Sequence, residues 1–171
     1  TMIRVRLMQF FSALLRLSLI AVACHAAFAR GASKEVIVLS ASGEPVPGVV
    51  VALEPVDQIP DVAPVVGTMD QIDRQFVPHI LVVQRGAEVR FPNSDSIKHH
   101  VFSCSEARSF EIKLLGDTHE ESLLFPSAGD VELGCNVHDW MLGYIYVADT
   151  PYFTRTNLQG MAELDVPEGD Y

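Results

Sequence analysis

Acidic residues are missing from the first 29 positions, although the 171-residue chain carries 22 of them. That stretch instead holds Arg4, Arg6 and Arg16, an apolar run from Met8 to Ala23, and then Ala27-Phe28-Ala29. A basic start, an apolar middle and an A-x-A end read as a secretory signal over residues 1–29. The run is short for a bilayer span, and Arg16 interrupts it with a charge that is costly there. The expectation is therefore cleavage, with no stable membrane span left afterwards. Ala21-Val22-Ala23-Cys24 makes only a weak lipoprotein site, because the usual Leu three places before the Cys is absent.

Cysteine is scarce as well: Cys24, Cys104 and Cys135 are all there is. If Cys24 leaves with the signal, two remain, and in an oxidising compartment two cysteines most often pair. Basic residues are few. Past position 29, nine face 22 acids, a net charge of about −13 with histidine neutral. Such a surface disfavours nucleic acid and anionic lipid as partners. Helical periodicity is missing from the exported part, and so are a glycine-rich phosphate loop, a nucleophile elbow and an HxxxH pair. Asp61, Asp70 and Asp73 form no recognisable acid pair. No catalysis of its own is expected.

Short alternating runs separated by Gly, Pro, Asn, Asp and Ser fill the rest, and they predict an all-β chain. Val49 to Leu53 is a β-branched run after a Gly-Glu-Pro-Val-Pro-Gly turn, and Val77 to Val83 is another. Ala87, Val89 and Phe91 share one strand face, with Glu88 and Arg90 on the other. Phe110, Ile112 and Leu114 alternate with Glu111 and Lys113. Val131, Leu133 and Cys135 alternate with Asp130, Glu132 and Gly134. Met141 to Val147 continues as a strand, and Ala162, Leu164 and Val166 form a last inward face. This spacing predicts a Greek-key β-sandwich or barrel. Pro55 to Pro64 reads as a linker, and Asp149-Thr150-Pro151 as a second break.

The stretch Cys135-Asn136-Val137-His138-Asp139-Trp140-Met141 sets a thiol, an imidazole and a thioether three residues apart. One loop could wrap all three around a single ion. Copper suits a thiolate and two imidazoles in a plane with a weak axial thioether, which is an electron-transfer set. The second imidazole must come from elsewhere, and Lys98-His99-His100-Val101 offers two. Strand side chains alternate, so only one of the pair can face the site. His99 shares parity with Val101 and is the expected ligand. The competing reading is a Cys104–Cys135 disulfide. Cys104 lies five residues past His99, about 16 Å along a strand at ~3.3 Å per residue, whereas a disulfide needs Cα atoms within about 7 Å. The metal and disulfide readings therefore compete.

The middle of the chain, roughly 62–148, resembles small blue copper proteins, the cupredoxins, on several segments. These are Phe76-Val77-Pro78, then Gly86-Ala87-Glu88-Val89-Arg90-Phe91 with Asn93, then His99-His100-Val101, and finally Cys135/His138/Met141. The loop spacing is similar to that of amicyanin-like members, and the wider pattern resembles bacterial methylamine utilisation proteins. The resemblance implies a cupredoxin sandwich and one type 1-like copper held by His99, Cys135, His138 and Met141. Asn93, His100, Asp139 and Trp140 would lie beside the ligands. It also implies a periplasmic electron carrier with a redox partner such as a cytochrome or a periplasmic dehydrogenase. In the family the residue after the first His is usually Asn and helps hold the Cys loop. Here it is His100, which either takes over that hydrogen bond or acts as an alternative ligand. Multicopper oxidases need many more histidines than the five of the exported part.

Gly43 to Leu53, and Thr156 to Leu164 with Pro167 to Tyr171, resemble the two halves of a carboxypeptidase-regulatory-like Ig module over residues 34–56 and 150–171, and the resemblance implies an expected continuation past Tyr171. The copper domain would then be an insertion in a small Ig-like β-module, which is physically easy at a loop tip. Two alternatives to electron transfer stay open. One is copper binding and delivery, with His100 and Cys104 as extra donors. The other is a non-metal structural module with a Cys104–Cys135 bridge.

Overall fold

The computed structural model describes residues 32–57, 59–116 and 119–171, together with the backbone of Met2–Arg4. The signal expected over residues 1–29, Cys24 included, lies outside the described residues apart from that short backbone. In chain order the strands are β1 (Met2–Arg4), β2 (Ala32–Ile37), β3 (Val50–Ala52), β4 (Gly67–Thr68), β5 (Asp70–Ile72), β6 (Gln75–Val77), β7 (Ile80–Gln84) and β8 (Ala87–Pro92). They continue with β9 (His99–Cys104), β10 (Ser109–Leu114), β11 (Glu120–Phe125), β12 (Gly129–Cys135), β13 (Leu142–Ala148), β14 (Phe153–Arg155) and β15 (Met161–Val166). Among the described residues, no helix is long and apolar enough to cross a membrane. The chain is all-β.

It divides into two compact units. One is built from both chain ends (Thr1–Ile59 with Thr154–Tyr171), the other from the middle (Pro60–Phe153). In the first, β2 pairs antiparallel with β15, setting Glu35 opposite Glu163, and β3 lies between β1 and β14. Val49 to Leu53 is buried on both faces, which is why it reads as an unbroken apolar run. Thr156 secures this unit by side chain and backbone: its hydroxyl donates to the Val46 carbonyl at 2.7 Å and accepts the Val49 N–H at 3.0 Å.

The second unit is a sandwich. One sheet has the order β10-β9-β12-β13-β7, the other β11-β8-β4. Neighbours are antiparallel except β13 with β7 and β4 with β8, which run parallel. Residues of both sheets meet in one core: Val89, Phe91 and Phe125 from the smaller sheet, and Val101, Leu114, Val131, Leu133 and Ile145 from the larger. The alternation predicted for β8 and β12 is present, with Ala87, Val89, Phe91, Val131, Leu133 and Cys135 buried and Glu88, Arg90 and Glu132 exposed. Phe91 is fully buried and packs against Phe110 and Phe125, with ring centroids 5.6 and 6.4 Å away.

The single strand expected from Val77 to Val83 is two strands. Val77 closes β6 and Ile80 opens β7, with Pro78 and His79 between them. Pro78 has no N–H to give a ladder, so the run breaks there. The turn joining β5 to β6 was not predicted, and its chemistry explains why. Asp73 and Arg74 both take left-handed backbone conformations, at φ 51° and 58°. Two-residue hairpin turns of this kind favour Asn-Gly or Asp-Gly. A non-glycine residue held there costs of order 1–3 kcal/mol, and that cost needs a counterweight.

Candidate metal centre

His99 opens β9, and Cys135 closes β12 on the neighbouring strand, where it sits opposite Val101. Both point inward, His99 with 1% of its surface exposed and Cys135 with 4%. His138 comes from the turn between β12 and β13 and is half-buried. That turn is closed by the Met141 N–H donating to the His138 carbonyl at 3.0 Å. The structure thus brings three of the expected ligands together. Cys135 Sγ lies 3.8 Å from His99 Nδ1 and 3.9 Å from His138 Nδ1. One donor atom from each residue falls within 4.8 Å of the others. A single ion bonded to nitrogen and sulfur at about 2.0–2.3 Å fits among atoms so spaced. Met141 is buried in the adjoining core.

The loop before His99 is held tightly. Asn93, 1% exposed, donates from Nδ2 to the Ile97 carbonyl at 2.8 Å and the Leu115 carbonyl at 3.0 Å. Its Oδ1 accepts the Asp95 N–H at 3.1 Å. Gly116 backs the same loop: a Cβ there would lie 2.6 Å from the Ser96 carbonyl oxygen, so only glycine permits the approach. Beside Cys135, a Cβ on Gly134 would lie 2.7 Å from the Phe102 ring, which would have to move aside.

Asp95 is the residue the sequence did not single out. Its Oδ2 lies 2.8 Å from His99 Nε2. Its two oxygens also accept the N–H groups of Asp73 at 2.7 Å and Arg74 at 3.0 Å. Burial alone would raise this carboxyl, but the bonds from Arg74, His99 and Asp73 outweigh burial and hold it below its ordinary 3.8. An ionised carboxylate only accepts, so His99 Nε2 is the donor, and in the neutral ring Nδ1 then keeps a free lone pair toward Cys135. The only sequence signal was an acid four residues before His99.

The other expected neighbours fall as follows. His100 faces the opposite side of β9, its Nε2 against Glu111 Oε1. Its backbone holds the Cys loop instead: the His100 carbonyl accepts the Asn136 N–H at 2.9 Å. Trp140 stands on the surface with its ring 5.4 Å from that of His138, and Asp139 is exposed. Burial first, then the charges of His99 and Arg74, push the His138 ring below its ordinary 6.5, against the pull of Asp95. A neutral imidazole is the form that binds a metal. Cys104 and Cys135 are both free, one exposed and one buried. Cys135 is opposite Val101, while Cys104 lies three residues further along β9 on the other face. That separation is about 10 Å along the strand, too far for the disulfide reading.

Fold and cluster together define an all-β protein with a His–Cys–His group, two of its members buried and one half-buried, able to hold a metal ion. No family model and no curated protein matches the chain. Several solved structures do, and they include cupredoxins. The novel purple cupredoxin from Nitrosopumilus maritimus is 19% identical over 48% of this chain and 99% of its own, with a TM-score of 0.43. A mutant amicyanin in its reduced Cu(I) form at pH 4 is 25% identical over 52% of this chain and 87% of its own, with a TM-score of 0.41. The Cu-containing nitrite reductase NirK from Thermus scotoductus SA-01 is 21% identical over 56% of this chain but only 25% of its own, with a TM-score of 0.44.

Proposed function

We propose that the chain binds one copper ion through His99, Cys135 and His138, with Met141 as the weak fourth ligand, and carries single electrons. The observation that carries this reading is the donor set itself: one buried thiol with two imidazole nitrogens at 3.8 and 3.9 Å. Soft thiolate suits Cu(I), imidazole suits copper as well, and two imidazoles and a thiolate with a weak axial thioether are the donor set of copper electron-transfer sites. A bound copper would supply one-electron exchange between Cu(I) and Cu(II). The protein contributes the rest. Asn93 and Gly116 fix the loop that precedes His99. The β9–β12 pairing fixes Cys135, and the core around Cys135 and Met141 excludes water. A site already organised before metal arrives needs little rearrangement when its charge changes.

The reading extends to the whole chain. Residues 1–29 would direct export to the periplasm and be removed. Residues 62–148 would form the copper domain, inserted between the two halves, 34–56 and 150–171, of a small Ig-like module. Trp140, Val137 and Leu142 are exposed on or beside the ligand loop, and Ile97 on the loop before His99. They offer an apolar landing face for a redox partner such as a cytochrome or a periplasmic dehydrogenase. Copper delivery is less favoured. The extra donors it would draw on, His100 and Cys104, sit on the face of β9 opposite His99.

Protein-film voltammetry of the copper-loaded full chain, beside competition with a Cu(I) chelator, separates the two. Electron transfer predicts a fast reversible one-electron couple and copper retained against the chelator. An irreversible couple with rapid loss of Cu(I) would contradict it.

A further inference from the structure

Asp95 binds two things at once. One is the ring of His99, through Nε2 at 2.8 Å. The other is the left-handed Asp73–Arg74 turn, whose successive N–H groups both end on its carboxylate. The first contact decides which histidine nitrogen carries the proton. The second supplies the counterweight that keeps two non-glycine residues in a costly conformation. Loop and hairpin are cross-tied further by Ser94, whose hydroxyl donates to Asp70 Oδ2 at 2.7 Å and whose N–H donates to the Gln71 carbonyl at 3.1 Å.

We propose that Asp95 is a positioning residue of the metal centre, latching the β5–β6 turn to His99 and holding that ring in the tautomer that presents Nδ1 to the ion. The inference rests on the copper reading above. Its physical content is specific. A carboxylate on the far nitrogen makes His99 a stronger donor and adds negative charge near the ion. Both effects favour the more highly charged Cu(II) over Cu(I). Outer partners of metal-bound histidines typically change affinity about 10–100-fold.

The test is Asp95→Asn in the full chain. Asparagine keeps the size and one acceptor oxygen but loses the charge. Cu(II) affinity is expected to fall about 10–100-fold and Cu(I) affinity by less, so the reduction potential rises by about 59 mV for each tenfold difference between the two. In the metal-free protein, nitrogen-15 NMR should find the His99 proton on Nε2 in the wild type and shared between Nδ1 and Nε2 in the variant. Asp73→Gly separates latch from scaffold. Glycine accepts the left-handed position, so adding it to Asp95→Asn should recover lost thermal stability without restoring the Cu(II)/Cu(I) affinity ratio. An equal fall in both affinities, recovery of the ratio by Asp73→Gly, or a wild-type proton on Nδ1 would each overturn the role of Asp95. A wild type that takes up no copper would overturn the metal reading itself, and this inference with it.

Discussion

Cys135→Ser is expected to abolish the intense thiolate-to-copper absorption and to weaken copper binding by more than about 100-fold, beyond what the loss of an outer partner brings. The change exchanges one atom, sulfur for oxygen. Serine keeps the shape, and a hydroxyl at the end of β12 can still bond His99 or His138. The fold should therefore persist, with an unfolding midpoint close to the wild type. The loss is chemical: a hydroxyl does not ionise near neutral pH and is a hard donor, so the soft, polarisable bond to copper is gone. Copper titration followed by absorption and by calorimetry reads both effects. Unaltered copper affinity in this variant would show that the metal binds elsewhere. Cys104→Ser is the matched control, because Cys104 is exposed on the face of β9 opposite His99. It should bind copper as the wild type does.

Phe91→Ala should cost about 3–5 kcal/mol of stability. Phe91 is the side chain at which the two sheets of the middle unit meet, with Phe110 and Phe125 around its ring. Removing it leaves a void that neighbours on separate strands cannot close. The expected signature in urea is a lower midpoint at unchanged slope. Copper affinity should fall as well, because Phe91 is followed at once by Pro92 and the Asn93 anchor of the His99 loop. Arg90→Ala, one residue away and exposed, should stay within about 0.5 kcal/mol of the wild type. Equal effects for the two variants would contradict the inward and outward assignment of β8.

The contrast between these neighbours also shows what was legible in the sequence. Strands β8, β10 and β12 could be read because a face turned to the core admits only apolar residues. A period of two is then imposed on the chain. Strand β11 could not: Glu120-Glu121-Ser122 precedes three apolar residues in a row, and only Phe125 is buried. The β5–β6 turn was hidden because Asp73-Arg74 carries no glycine, and its conformation is underwritten by Asp95, 21 residues past Arg74.

The site divides in the same way. Cys135, His138 and Met141 could be put forward as ligands from local spacing, and strand parity favoured His99 over His100 as the second imidazole. The structure gathers His99, Cys135 and His138 in one cluster. Parity also sends the His100 ring to Glu111, leaving its backbone carbonyl to hold the Cys loop. Asp95 could not be assigned from sequence, because its bond to His99 exists only once the Asn93 loop folds back on Ile97 and Leu115.

The most direct test of the account is the visible absorption spectrum of the wild-type protein, without its first 29 residues, titrated with Cu(II) beside a count of free thiols. The account predicts an intense thiolate-to-copper band that saturates at one equivalent, with both Cys104 and Cys135 titrating as free thiols before metal is added. No band at any copper ratio, with the two thiols lost to a disulfide, would contradict it.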